Sequence, residues 1–187
     1  MHRVFHVLAG LAIAFVLTCP SHAEVTDSSA GGFTLVEIVQ TSAPPQKAYE
    51  ELIQPAHWWN AEHSYSHDAA NFTLDARAGG CWCEKLPDGG SVEHMRVVLV
   101  MPGKLLRMRG AIGPFQALGA EGSLTVVLTP TPDGGTTIKA TYALGGYAKD
   151  GFANLALAGD SVLAEQFGRL KTLLDTGSPD LKAETSP

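Results

Sequence analysis

The sequence predicts an α+β domain: a curved antiparallel sheet of about seven strands wrapped around one long C-terminal helix, with two short helices after the first strand. Three observations carry this. Six short runs rich in β-branched and apolar residues lie between residues 71 and 144, separated by Gly-Gly, Asp-Gly and Pro-Gly turn signals. An earlier strand-like run is followed at once by a proline-led helical segment. Finally, residues 151–177 carry apolar side chains at the 3-and-4 spacing of a single helix face.

Taken in chain order, the first 23 residues read as a secretory leader. Arg3 supplies the positive start, "VFHVLAGLAIAFVL" the apolar stretch, and Ser21 and Ala23 the small residues at a cleavage point after Ala23. The stretch is shorter than the roughly 20 apolar residues of a spanning helix. The expected location is therefore secreted or periplasmic, with no stable membrane insertion after cleavage. Without Arg3 the balance is 12 basic against 19 acidic residues, a net charge of −7 that argues against nucleic acid or an anionic membrane as partner.

"FTLVEIVQTS" (33–42) is the first expected strand, and "APPQKAYEELIQ" an expected short helix with prolines at its entrance. Pro55 breaks it, and "AHWWN" (56–60) reads as a second brief helical turn. Strands are expected at 71–76, 80–86, 91–100, 104–112, 122–130 and 136–144, joined as a meander. In the last helix Phe152, Leu155, Gly159, Val162, Leu163, Gln166, Phe167, Leu170, Leu173 and Leu174 share one face, and Gly177 is the expected stop. The polar tail 177–187 is expected to be disordered. One domain over 33–175 accounts for the remainder.

The residues "SAPPQKAYEELIQPAHWW", "AGG" before a strand, "LPDGGSVEHMRVV", "PGKLLRMRG", "GPFQALGAEGSLTVVL" and "DGGTTI", together with the closing helix, resemble the START/Bet v-like helix-grip superfamily (SRPBCC), in the branch similar to chaperone-ATPase activators and polyketide cyclases. The resemblance spans about residues 33–175. It implies a helix-grip fold with a ligand cavity between sheet and last helix, entered near the short helices. It brings no universal catalytic motif, and export would remove the protein from cytosolic chaperones.

Three constellations could carry chemistry. Cys81 and Cys83 lie one residue apart on a strand, where i and i+2 are about 6.6 Å apart. A disulfide wants Cβ atoms about 3.5–4.5 Å apart, so no bridge between the two is expected. They could instead pack as small apolar residues, bridge to another chain, or join His94 and His63 in a metal-binding module. A hairpin register with Leu86 opposite Ser91 sets Cys83 opposite His94, and a one-residue slip would reverse the facing. On the other face Trp82 and Glu84 are expected to look into the cavity. Glu84 with His94 or His63 could serve a cyclase- or hydrolase-type enzyme as an acid–base pair, or simply orient a ligand. The third constellation is "HWWNAEHSYSHD", in which Trp59 and His63 are the cavity candidates and His57 and His67 face solvent. Phe115 and Tyr142 complete the candidate lining.

The expectation is thus a binding protein for a small apolar or amphipathic molecule, contacted by Trp59, His63, Trp82, Glu84, His94, Phe115 and Tyr142. No catalytic residue, cofactor or metal is expected in the leading reading.

Overall fold

The computed structural model describes residues 22–180. The leader therefore lies outside the described residues up to residue 21, and so do residues 181–187 of the tail. One eight-stranded antiparallel sheet is built from β1 (His22–Ser29), β2 (Gly32–Thr41), β3 (Phe72–Leu74), β4 (Cys81–Lys85), β5 (Ser91–Met101), β6 (Leu105–Gly110), β7 (Gly119–Pro130) and β8 (Thr136–Tyr147). Its order is β1-β2-β8-β7-β6-β5-β4-β3. Helices α1 (Pro45–Leu52) and α2 (Ala153–Thr176) complete the fold, and α2 packs across the inner face of the curved sheet.

The count of strands corrects the expected seven. The added strand, β1, pairs with β2 from His22↔Ile38 to Ser29↔Gly32. Residues 24 and 26–29 are exposed, so no apolar alternation announced it. The expected cut after Ala23 falls inside this strand. The second short helix is likewise corrected, to a three-residue 3₁₀ turn at Pro55–His57, because Pro55 fixes the turn and nothing continues it.

Alternation does the work elsewhere. In β2, Phe33, Leu35, Glu37, Val39 and Thr41 point inward; in β8, Thr136, Ile138, Ala140, Tyr142 and Leu144 do so. Against this surface α2 lays Ala156, Gly159, Leu163, Gln166, Phe167 and Leu170, all buried. Side chains such as Phe167 and Leu170, at 2% and 0% exposure, each contribute about 1.5–3 kcal/mol. Gly177 ends the helix at φ 81°, its N–H donating to the Leu173 carbonyl at 2.8 Å. At Gly159 the helix comes close to the sheet. A Cβ there would stand 3.2 Å from Leu35 Cδ1 and 3.3 Å from Phe115 Cζ.

The β4–β5 hairpin departs from its expected register. Lys85, not Leu86, faces Ser91, because Asp88 and Gly89 both take positive φ in a tight 3₁₀ turn. Pairing then skips His94, so that Cys83 faces Glu93 while Trp82 faces Met95. This bulge sets His94 and Met95 both inward in succession. A second irregularity between Val97 and Leu99 leaves Val98 and Leu99 both outward.

The expectation that Cys81 and Cys83 stay apart is overturned: the two form a disulfide, with Cα atoms 5.4 Å apart. The 6.6 Å estimate assumed a flat strand. That figure is a Cα separation, already near the upper end of the roughly 4.4–6.8 Å seen across disulfides, and at the bulge the backbone shortens it to 5.4 Å.

Candidate functional site

A cavity of about 330 Å³ lies between the N-terminal half of α2 and the inner face of the sheet. Its helix wall is Leu155, Ala158, Gly159, Val162 and Leu163; its sheet wall is Tyr142; Phe115 closes one side from the 3₁₀ turn Gly113–Ala117. The segment from Trp59 to Tyr65 forms the rim. The lining is overwhelmingly apolar and includes no lysine or arginine.

Sequence explains how the rim is held. Trp58 and Trp59 follow the Pro55 turn and are both 3% exposed. Trp58 packs beside Phe167, ring centres 5.9 Å apart, and its carbonyl accepts from Arg169 Nε at 2.9 Å. Trp59 stands edge-on to Trp82 at 5.0 Å and donates from Nε1 to the His63 carbonyl at 3.0 Å. Asn60 caps the next turn by accepting from the Glu62 N–H. Its own N–H donates to Gln166 Oε1 at 2.7 Å, and its side-chain amide to Glu165. The other Glu165 oxygen lies 3.0 Å from His63 Nε2. Burial pushes the Glu165 carboxyl up, but the bonds from Asn60 and His63 outweigh it and hold it below the ordinary range.

A second anchor holds the far end of the rim. Glu84, 1% exposed, accepts from the Tyr65 N–H at 3.2 Å, from the Ser66 N–H at 2.6 Å and from His94 Nε2 at 2.9 Å. Because a carboxylate only accepts, the bonded ring nitrogen carries the proton and Nδ1 is the acceptor. The Tyr65 ring stacks over His94 with centres 6.0 Å apart, and Phe72 and Trp82 flank it at 5.2 and 5.8 Å. Burial pushes Glu84 up, yet the bonds from Ser66, His94 and Tyr65 leave it below the ordinary carboxylate range. Burial pulls the His94 imidazole below its ordinary value, only partly opposed by Glu84. At neutral pH the pair is therefore carboxylate and neutral imidazole.

Of the seven candidate contact residues, the cavity brings together Trp59, His63, Phe115 and Tyr142. Trp82 is placed one layer behind, beside a void of about 10 Å³. Glu84 and His94 are together but do not border the cavity; the backbone of Tyr65 and Ser66 stands over them. Glu84 and His63 are not partners, since His63 bonds Glu165. The metal set is not assembled. Its cysteines are bonded to each other on the half-buried side of β4 while His94 is turned inward, and no three-residue metal-ligand group occurs among the described residues. Sequence reasoning missed Glu165, whose only signal was its place beside the inward Gln166, and the Ile112 N–H, which donates to the Tyr142 hydroxyl at 3.2 Å.

No family model and no curated protein sequence matches the chain. Solved structures do. A conserved protein of unknown function from Enterococcus faecalis superposes with a TM-score of 0.59 at 15% identity, over 89% of this chain and 82% of that one. An uncharacterised protein from Rhizobium leguminosarum gives 0.57 at 20%, over 83% and 98%. DynU16, from the dynemicin biosynthetic locus, gives 0.53 at 19%, over 78% of this chain and 48% of its own. At these identities the likeness is one of fold.

Proposed function

We propose that this is an exported helix-grip protein of the START/Bet v-like type that binds one small apolar molecule between α2 and the sheet. The cavity carries this reading. Its roughly 330 Å³ and apolar walls match the low end of the roughly 300–1,000 Å³ typical of small-molecule sites. The likeness of fold to DynU16, a protein of a biosynthetic locus, supports small-molecule binding. Export is supported by the leader-like residues 1–23 and by a disulfide, which persists in oxidising compartments.

The test is titration of purified protein with the neutral fluorophore N-phenyl-1-naphthylamine, alongside Val162→Trp, which places an indole in the helix wall of the cavity. Saturable binding in the unaltered protein, weakened at least about tenfold or about 1.4 kcal/mol in the variant, is the expected result. Equal binding in both, or none in either, would reject the cavity as a binding site. Fractionation of cells expressing the full chain tests export.

A further inference from the structure

The cavity has one buried side-chain hydrogen-bond donor whose hydrogen no described residue receives. Trp59 Nε1 is committed to the His63 carbonyl, Ser64 Oγ to the Ala61 carbonyl and His63 Nε2 to Glu165. Tyr142, 1% exposed, differs. Its hydroxyl oxygen accepts from the Ile112 N–H at 3.2 Å, and its own O–H has no acceptor among the described residues.

Buried tyrosine hydroxyls normally find a partner, because leaving one unmade costs the full desolvation of the group. The N–H arriving at the oxygen polarises the O–H and makes it the better donor. Burial also pushes the Tyr142 phenol up to about 12, outweighing the opposing Ile112 bond, so the hydroxyl keeps its proton at any ordinary pH. No cationic side chain lines the cavity, whereas Glu62 and the Glu165-bonded His63 stand at its rim. A carboxylate or phosphate ligand would be buried there without a counter-charge.

Resting on the reading that the cavity binds an apolar molecule, we infer that Tyr142 donates a hydrogen bond to the carbonyl-type oxygen of a neutral, largely apolar ligand. The ligand class is then a compact aryl ketone, quinone or ester. Tyr142 selects it against hydrocarbons of the same shape, and the absence of a cation selects against acids.

Calorimetric titration with 2-acetylnaphthalene, its carbon isostere 2-isopropenylnaphthalene and 2-naphthoate tests this. The unaltered protein should bind the ketone about tenfold more tightly than the alkene, about 1.4 kcal/mol, and the carboxylate more weakly than the ketone. Tyr142→Phe should bring ketone and alkene within about twofold by removing the one donor while keeping the ring. A ketone preference that survives in Tyr142→Phe, no preference in the unaltered protein, or tighter binding of the carboxylate would each overturn the inference. If N-phenyl-1-naphthylamine binds but neither naphthalene probe does, only this inference fails; if none binds, the cavity reading fails with it. The infrared carbonyl stretch of the ketone bound to the unaltered protein decides the matter even if the variant does not fold. A shift below its position in an aprotic solvent supports the hydrogen bond, and an unshifted band overturns it.

Discussion

Two regions on the inner face of one sheet bury polar side chains in opposite ways. Around β4 and β5, Glu84 spends its oxygens on His94 and the backbone of the rim, while His94 Nδ1, an acceptor, has no partner among the described residues. On β8, Tyr142 lines the cavity, and its hydroxyl receives one bond and has one left to give. A buried acid beside an imidazole is the pattern that chemistry-minded sequence reading selects, yet here its bonding is spent on holding a loop. The unassuming phenol is the cavity-lining side chain with a hydrogen bond still to donate.

The largest effect expected from this contrast is the loss of Glu84. Glu84→Ala leaves two loop N–H groups and a buried imidazole without their acceptor, and should cost about 3–5 kcal/mol in urea unfolding, in keeping with broken buried pairs. Val162→Trp at the cavity should leave the urea midpoint nearly unchanged. If Glu84→Ala were to abolish probe binding with stability intact, the division between the two regions would collapse.

Next in size is a pH effect confined to the first region. The native His94 imidazole lies below its ordinary value, so the unfolded chain binds the extra proton first. Stability is full above the unfolded value of about 6.5 and falls as pH drops through it. Glu84, also held low, adds a further loss as pH falls below about 4.5 and through its native value. Urea midpoints between pH 8 and 4 should fall with acid, and His94→Gln should flatten the limb near pH 6. Tyr142→Phe should leave that limb unchanged.

A smaller effect is expected on the opposite side of β4. Reducing the Cys81–Cys83 bridge releases a loop of only three residues, for which chain entropy suggests about 1.5 kcal/mol. Thermal unfolding with and without reductant measures it. The smallest is His63→Ala: its contact with Glu165 is about one-third exposed on each side, so stability should change by about 0–1 kcal/mol.

Most of the architecture was legible because turns and alternation announce themselves. Asp-Gly and Gly-Gly pairs marked the meander from β3 to β8, and the face of α2 was visible in its spacing. β1 was not, since only Val25 of residues 24–29 is drawn toward the core. The bulge at His94 also left no mark in the sequence, and with it went both the register of Cys83 and the closure of the disulfide. At the candidate site, aromatic residues near the short helices and on the last strand pointed to the cavity. What they could not convey was bonding across distance: Glu165 meets His63 from 102 positions away, and Ile112 meets Tyr142 from 30.

Glu84 grips residue 65 by its main-chain N–H and not by its side chain. Under mutation, position 65 can thus exchange its ring for other shapes without surrendering that bond, although the cover over His94 would change. A lineage carrying this device could retailor its doorway residue by residue while the hinge post stays fixed, a route by which one scaffold diversifies its guests.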